Sequence, residues 1–198
     1  MPDVAIPFEI HLTTDAMWLG RRDDFLTFCA INEAKPLIIE LSKGDFIHQP
    51  MLSKIIYAHA VDDVLVFTNK LSNALNTGSF FVKRLKIEVP SQYSGRFDDF
   101  NTSFKKYFEW HCKISYINTS ALQLVCEKHN AHLSINSLKA GDNTRFITLR
   151  EFGSKAGFKS RIAALLQALE LGDWAIIKQE SEYCIYDNNI FLDNGWLL

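Results

Sequence analysis

The 198-residue chain contains no hydrophobic stretch of transmembrane length: apolar runs such as Leu37–Ile39 are only a few residues long, against the roughly 20 that a spanning helix needs. No charged segment followed by an apolar one opens the chain, so nothing at its start reads as a secretory signal. Charge of one sign is not in excess either. With 21 Lys and Arg against 23 Asp and Glu, the formal net charge is −2, and the global cationic field that serves non-specific nucleic-acid binding is absent. Cysteine is scarce: Cys29, Cys112, Cys126 and Cys184 form no CxxC pair and no dense framework, which reads as buried free thiols in a reducing compartment. Only 5 prolines and 9 glycines occur, excluding collagen-like and low-complexity chains. There is no P-loop, no Rossmann fingerprint, no Gly-x-Ser-x-Gly elbow and no HExxH, so the nucleotide, serine-hydrolase and zinc chemistries tied to those motifs have no support. What is present is 47% hydrophobic and 22% charged residues, enough to bury a substantial core. A soluble, cytoplasmic protein without a membrane partner is the expectation.

Internal matches organise the rest. Phe8-Glu9-Ile10-His11 recurs as Phe108-Glu109-Trp110-His111. At an offset of 97, Cys29, Ala34, Ile38, Leu41, Gly44, Asp45 and Leu52 meet identical residues from Cys126 to Leu149. At 94, Leu71, Ala74, Leu75, Gly78 and Glu88 meet Leu165, Ala168, Leu169, Gly172 and Glu182. Period-2 alternation in Phe8–Thr13 marks a strand, and apolar residues at three and four spacing in 61–77 and 159–171 mark helices. Gly78 and Gly172 stand where helix C′ glycines belong, Asn118 or Thr119 where a helix N-cap does, and Gly44 and Gly141 at hairpin turns. The order reads βαββαβ, twice. It resembles the ferredoxin-like plait, which implies an α+β fold of two tandem duplicated ferredoxin-like domains, each an open four-stranded antiparallel sheet with helices on one face. Repeat 1 covers 1–90, a linker 91–104 and repeat 2 105–184, while residues 185–198 form an apolar tail expected to pack on the lobes.

Strand alternation then assigns side chains to the face opposite the helices. In the first half these are Glu9, His11, Thr13, Gln49, Met51, Ser53, Arg84, Lys86 and Glu88. In the second half they are Glu109, His111, Lys113, His132, Ser134, Asn136, Phe146, Thr148, Arg150, Lys178, Glu180 and Glu182. If both faces turn inward they enclose a polar inter-lobe cleft, and the twofold Glu-x-His is its sharpest feature, because residues two apart on a strand share a face. His11, His111, Glu9 and Glu109 are the candidate catalytic residues, with an imidazole and a carboxylate able to share a proton. Arg84, Lys113, Arg150, Lys178, His132 and Ser134 are the candidate ligand-binding residues, suited to an anion.

The reading this favours is a small anionic, phosphate-bearing ligand, with His-dependent phosphoester hydrolysis as its enzymatic form. His11-Leu12-Thr13 and His132-Leu133-Ser134 are similar to the His-apolar-Thr/Ser motifs of the two-histidine phosphoesterases. That resemblance would make both histidines catalytic, but the internal alignment pairs His11 with His111 and not with His132. A non-catalytic interaction or regulatory module, with a protein partner on the sheet face or tail, is the first alternative. A His/Glu metal-dependent enzyme is the second: His11, His111, Glu88 and Glu182 offer a ligand set similar to that of the vicinal-oxygen-chelate enzymes, although those have one helix per module. For RNA the sheet face would need exposed aromatics, and Phe146 is a lone candidate. No cofactor is implied by any motif.

Overall fold

Strand β1 (Ile6–Thr14) buries Ile6, Phe8, Ile10 and Leu12 on one face and carries Glu9 and His11 on the other. The same two-sidedness recurs around the molecule. The computed structural model describes residues 4–16, 19–100, 102–115, 119–139 and 143–196. After β1 come α1 (Arg22–Ile31), β2 (Lys35–Leu41), β3 (His48–Ala58), α2 (Val61–Thr77) and β4 (Val82–Pro90). Then follow β5 (Tyr107–Ser115), α3 (Thr119–Lys128), β6 (His132–Asn136), β7 (Thr144–Glu151), α4 (Lys155–Leu171) and β8 (Ile176–Asp187). Segment 91–104 lies in the β4–β5 connection, where a short 3₁₀ helix, Ser91–Phe97, buries Phe97.

The strands form one closed antiparallel barrel in the order β1-β3-β2-β6-β7-β5-β8-β4. The expectation of two duplicated ferredoxin-like domains with open sheets is therefore corrected. Strands β2 and β4, which would be edges of an open first sheet, are both paired with strands of the second half. Leu41 lies opposite Ser134 and Ile39 opposite Asn136 across β2 and β6, and Glu88 lies opposite Cys184 across β4 and β8. An open edge leaves a row of backbone N–H and C=O groups without strand partners; closure pairs them and removes the edge.

The helices pack outside the barrel, so the apolar cores lie between them and the outer face of the sheet. One core gathers Phe8, Ile10, Leu12, Leu52, Leu85 and Ile87 from strands with Phe25, Val64, Leu71 and Leu75 from helices. The other gathers Phe108, Trp110, Ile114, Ile147 and Leu149 with Leu122, Phe158, Leu165 and Leu169. Each large side chain so buried contributes about 1.5–3 kcal/mol. All four cysteines are free and buried, and burial pushes the thiols of Cys29, Cys112 and Cys126 up to about 12. They are packing residues and not nucleophiles.

Gly78 and Gly172 do not take the left-handed conformation expected of them; their φ values are −74° and −90°. The left-handed residue is the next one, Ser79 (φ 61°) or Asp173 (φ 56°). It lets Phe80 N–H reach Leu75 O and Trp174 N–H reach Leu169 O, six-residue closures that end the helices. At the start of α4, Ser154 Oγ accepts from Gly157 N–H, a self-contained cap. Asn118 and Gly141 lie outside the described residues. No helix among the described residues is long and apolar enough to cross a membrane.

Candidate functional site

Because the apolar faces are turned outward to the helices, the alternate residues of each strand point into the barrel. A lumen of about 370 Å³ results, lined by Glu9, His11, Arg84, Lys86, Glu109, His111, Lys113, Arg150, Lys178, Glu180 and Glu182 among others. This size lies in the range of small-molecule sites. At the end where β5 begins, the charged side chains are sealed in, with Arg84, Arg150 and Asp187 all buried. At the end where β8 begins, Lys35 and Lys139 are exposed and the side chains of Lys178 and Glu180 are 63% and 50% exposed. The lumen opens there.

A chain of alternating charges runs along one wall. His11 Nε2 lies 3.0 Å from Glu88 Oε2 and 3.7 Å from Glu9 Oε1, and Ser53 Oγ donates to Glu9 at 2.5 Å. Lys86 Nζ bridges Glu88 at 2.8 Å and Glu109 at 2.5 Å. His111 Nε2 sits 3.4 Å from Glu109 and 3.6 Å from Glu182, while its Nδ1 is 3.1 Å from Thr148 Oγ1. The pairing follows from register: Glu9 is opposite Glu88, His11 opposite Lys86, and Glu109 opposite both Arg150 and Glu182. Both Glu-x-His pairs thus enter one network with Lys86 between them.

The sealed end is built by the residues after β8. A short 3₁₀ helix, Ile190–Asp193, carries Asp193 into the lumen, where its carboxylate accepts from Arg84 Nη1 at 3.1 Å and from Arg150 Nη2 at 2.7 Å. Arg84 is spent entirely on structure: Asp187 takes its Nε and Nη2 at 2.9 and 2.6 Å, and Tyr107 Oη lies 3.2 Å from Nη2. Gln49 Nε2 donates to Leu192 O, and Trp196 Nε1 donates to Leu133 O. A latch secures the segment: Gly44 (φ 111°) approaches Asn194 O so closely that a Cβ there would stand 2.8 Å from it. The apolar tail therefore closes a barrel end, though residues 197 and 198 lie outside the described residues.

Of the sequence-derived candidates, Glu9, His11, Glu109, His111, Lys113, Arg150, Lys178, Arg84 and Ser134 all line the lumen. His132 does not line it and packs at 5.8 Å from the Trp196 ring. Burial, then Lys43 and Arg150, press its pKa down to about 4, so it stays neutral. Sequence reasoning missed Asp187, Asp193, Tyr107 and Trp196, and also Leu37, Ile39 and Leu41 of β2, which give the lumen an apolar side together with Met51 and Phe146. Parity could have found the β2 set, since Lys35, Leu37, Ile39 and Leu41 alternate; the apolar run through Ile38 hid it.

Burial raises the Glu109 carboxyl, but Lys86, Arg150 and His111 outweigh it and hold the group well below the usual carboxylate range. Burial opposes charge on His111 as well, yet Glu109 and then Glu182 lift it to about 9, so the ring is an imidazolium at neutral pH. Glu182 moves the other way: burial first, then Glu88 and Glu9, raise it well above its ordinary value. Glu88, Glu109 and His111 offer metal-ligand atoms within 4.8 Å of one another, but the ammonium of Lys86 already sits between the two carboxylates. This arrangement favours internal ion pairing over a metal centre.

These shifts give stability a definite pH dependence. His111 binds its proton more tightly in the folded state, so its contribution is complete below about 6.5 and is lost as pH rises through about 9. Glu182 also holds its proton on folding, so charging it above the ordinary carboxylate value of 4.5 lowers stability. Glu109 and Asp187 have depressed values, and their contribution is lost on acidification. Thermal melts across this range are expected to peak in mildly acidic buffer and to decline toward pH 9. Glu182→Gln, which removes the repulsion with Glu88 and Glu9, is expected to raise Tm at pH 8; a fall in Tm there would contradict the assignment.

No protein-family model matches this chain, and no curated protein matches it in sequence.

Proposed function

We propose that the lumen binds a small organic anion carrying a phosphate group. The observation that carries this reading is Arg150: its guanidinium lies over the Tyr107 ring, its Nε and Nη2 are held by Glu109 and Asp193, and its buried Nη1 has no protein partner. A buried N–H left unpaired costs about 1–3 kcal/mol, which an anionic oxygen entering the lumen would recover. Lys113 and Lys178, opposite each other on β5 and β8, stand on the approach from the open end together with Lys35 and Lys139. Ammonium groups at the entrance raise the local anion concentration and speed capture. The four free cysteines support a reducing, cytoplasmic setting.

The histidines favour hydrolysis of a bound phosphoester as the second part of the reading. Glu88 Oε2, 3.0 Å from His11 Nε2, places a carboxylate against one ring nitrogen, while the buried Nδ1 is without a partner, the arrangement of an imidazole base paired with a carboxylate. His111, protonated at neutral pH, is the complementary acid. Water would attack phosphorus as His11 Nδ1 takes its proton; the P–O ester bond would break as His111 protonates the departing oxygen.

Thermal shift and calorimetry with inorganic phosphate, methyl phosphate and matched concentrations of chloride test the binding. Phosphates at about 100 times Kd should stabilise by about 2.7 kcal/mol, and Lys113→Ala/Lys178→Ala should weaken that response without lowering the basal Tm. Equal responses to phosphate and chloride would overturn the reading and favour the interaction-module alternative. Hydrolysis is read from release of p-nitrophenol from its phosphate esters, abolished by His11→Ala and by His111→Ala.

A further inference from the structure

Resting on the phosphate-binding reading, we infer that the ligand is an aryl phosphate, with its ring seated against the apolar side of the lumen. Charge is divided unevenly around the barrel. Apart from Lys35, Lys139 and Asp193 at the two ends, the charged groups come from β1, β4, β5, β7 and β8, while the β2 positions that line the cavity beyond Lys35 are Leu37, Ile39 and Leu41. Met51 is the direct neighbour of Leu37 across β3, and Phe146 and Leu41 flank Ser134 from either side. With Trp196 at the sealed end, these residues give that side of the lumen an apolar lining interrupted by Ser134.

An apolar strip of this kind inside a polar barrel serves no packing role of its own, because the two cores lie on the outer face of the sheet. Leu37, Ile39, Met51 and Phe146 are only partly buried despite pointing inward, so contact with a ligand would remove further apolar surface from water. Two of the polar side chains on this side are turned to the backbone: Asn136 Oδ1 accepts from Ile38 and Leu138 N–H, and Gln49 Nε2 donates to Phe46 and Leu192 O. A sugar or polyol phosphate would therefore bring hydroxyls to a wall with few groups left to meet them, and lose the hydrogen bonds it had in water. A flat ring loses nothing there. Phe146 also lies directly opposite Lys113, placing the anion-attracting ammonium and the aromatic face side by side at the entrance, as a ligand with a phosphate joined to a ring requires.

Calorimetric titration with methyl phosphate, glycerol phosphate and phenyl phosphate tests this. Phenyl phosphate is expected to bind at least about tenfold more tightly than the other two. Phe146→Ala should erase that advantage while leaving methyl phosphate affinity unchanged, which also shows that the variant is folded; Met51→Gln, of similar volume, should reduce it in the same way. Equal affinity for all three esters would overturn the aryl assignment and leave the phosphate site standing. Binding of none of them would overturn both.

Discussion

Replacing Glu109 by glutamine is expected to destabilise the protein by about 3–5 kcal/mol, the usual cost of stripping one partner from a buried ion pair. Glu109 is 1% exposed and, among the described residues, is the only group that touches Lys86, Arg150 and His111 together. The amide retains the volume but not the charge, leaving Lys86 to Glu88 and Arg150 to Asp193 alone. For a chain of this size the loss corresponds to a fall in Tm on the order of 10 °C. The pKa of His111 should fall from about 9 toward its ordinary value in the same variant, which a purely steric defect would not produce. Because the groups act as one network, Glu109→Gln combined with Arg150→Met should cost less than the two single changes added. Strict additivity in denaturant melts, with an unmoved His111 titration, would show that the network is not formed.

Asp193→Ala is the second large effect. This carboxylate, 1% exposed, holds Arg84 and Arg150 at the sealed end. Its removal should cost about 3 kcal/mol and, unlike the change at Glu109, should loosen a defined segment. Arg84 keeps both bonds to Asp187, so the barrel wall survives, whereas residues 190–196 lose their one charged anchor. Hydrogen exchange should accelerate at the Trp196 amide, which donates to Asp193 O, and at Asp45, which donates to Asn194 O. Unchanged protection at these two amides would mean that the latch at Gly44 and the Trp196 indole hold the plug without the ion pairs.

How much of this was legible in the residues varies with the length scale of the interaction. Alternation in Phe8–Thr13 marks β1 and tells which side chains share a face, because that information is local. The same parity places Glu9, His11, Arg84, Lys86, Glu109 and Arg150 on the faces away from the helices. Closure was not legible: a polar face looks the same in sequence whether it meets bulk water or the inside of a barrel. Nothing within β2 or β4 announces that Leu41 will meet Ser134 or that Glu88 will meet Cys184. The plug was hidden for a related reason. Its apolar composition implies packing, but the functional residue in it is the single acid Asp193, whose partners lie 109 and 43 residues away in the chain. In β2, apolar residues of both parities masked the inward strip, since Ile38 is as apolar as Leu37 and Ile39.

A crystal structure of the protein saturated with phenyl phosphate tests the lumen as a ligand site most directly. The account predicts phosphate oxygens within hydrogen-bond distance of Arg150 Nη1 and facing Lys113, with the ring against Leu37, Met51 and Phe146. Phenyl phosphate bound only on the outer surface, with the lumen unliganded and Arg150 Nη1 still unpaired, would contradict it.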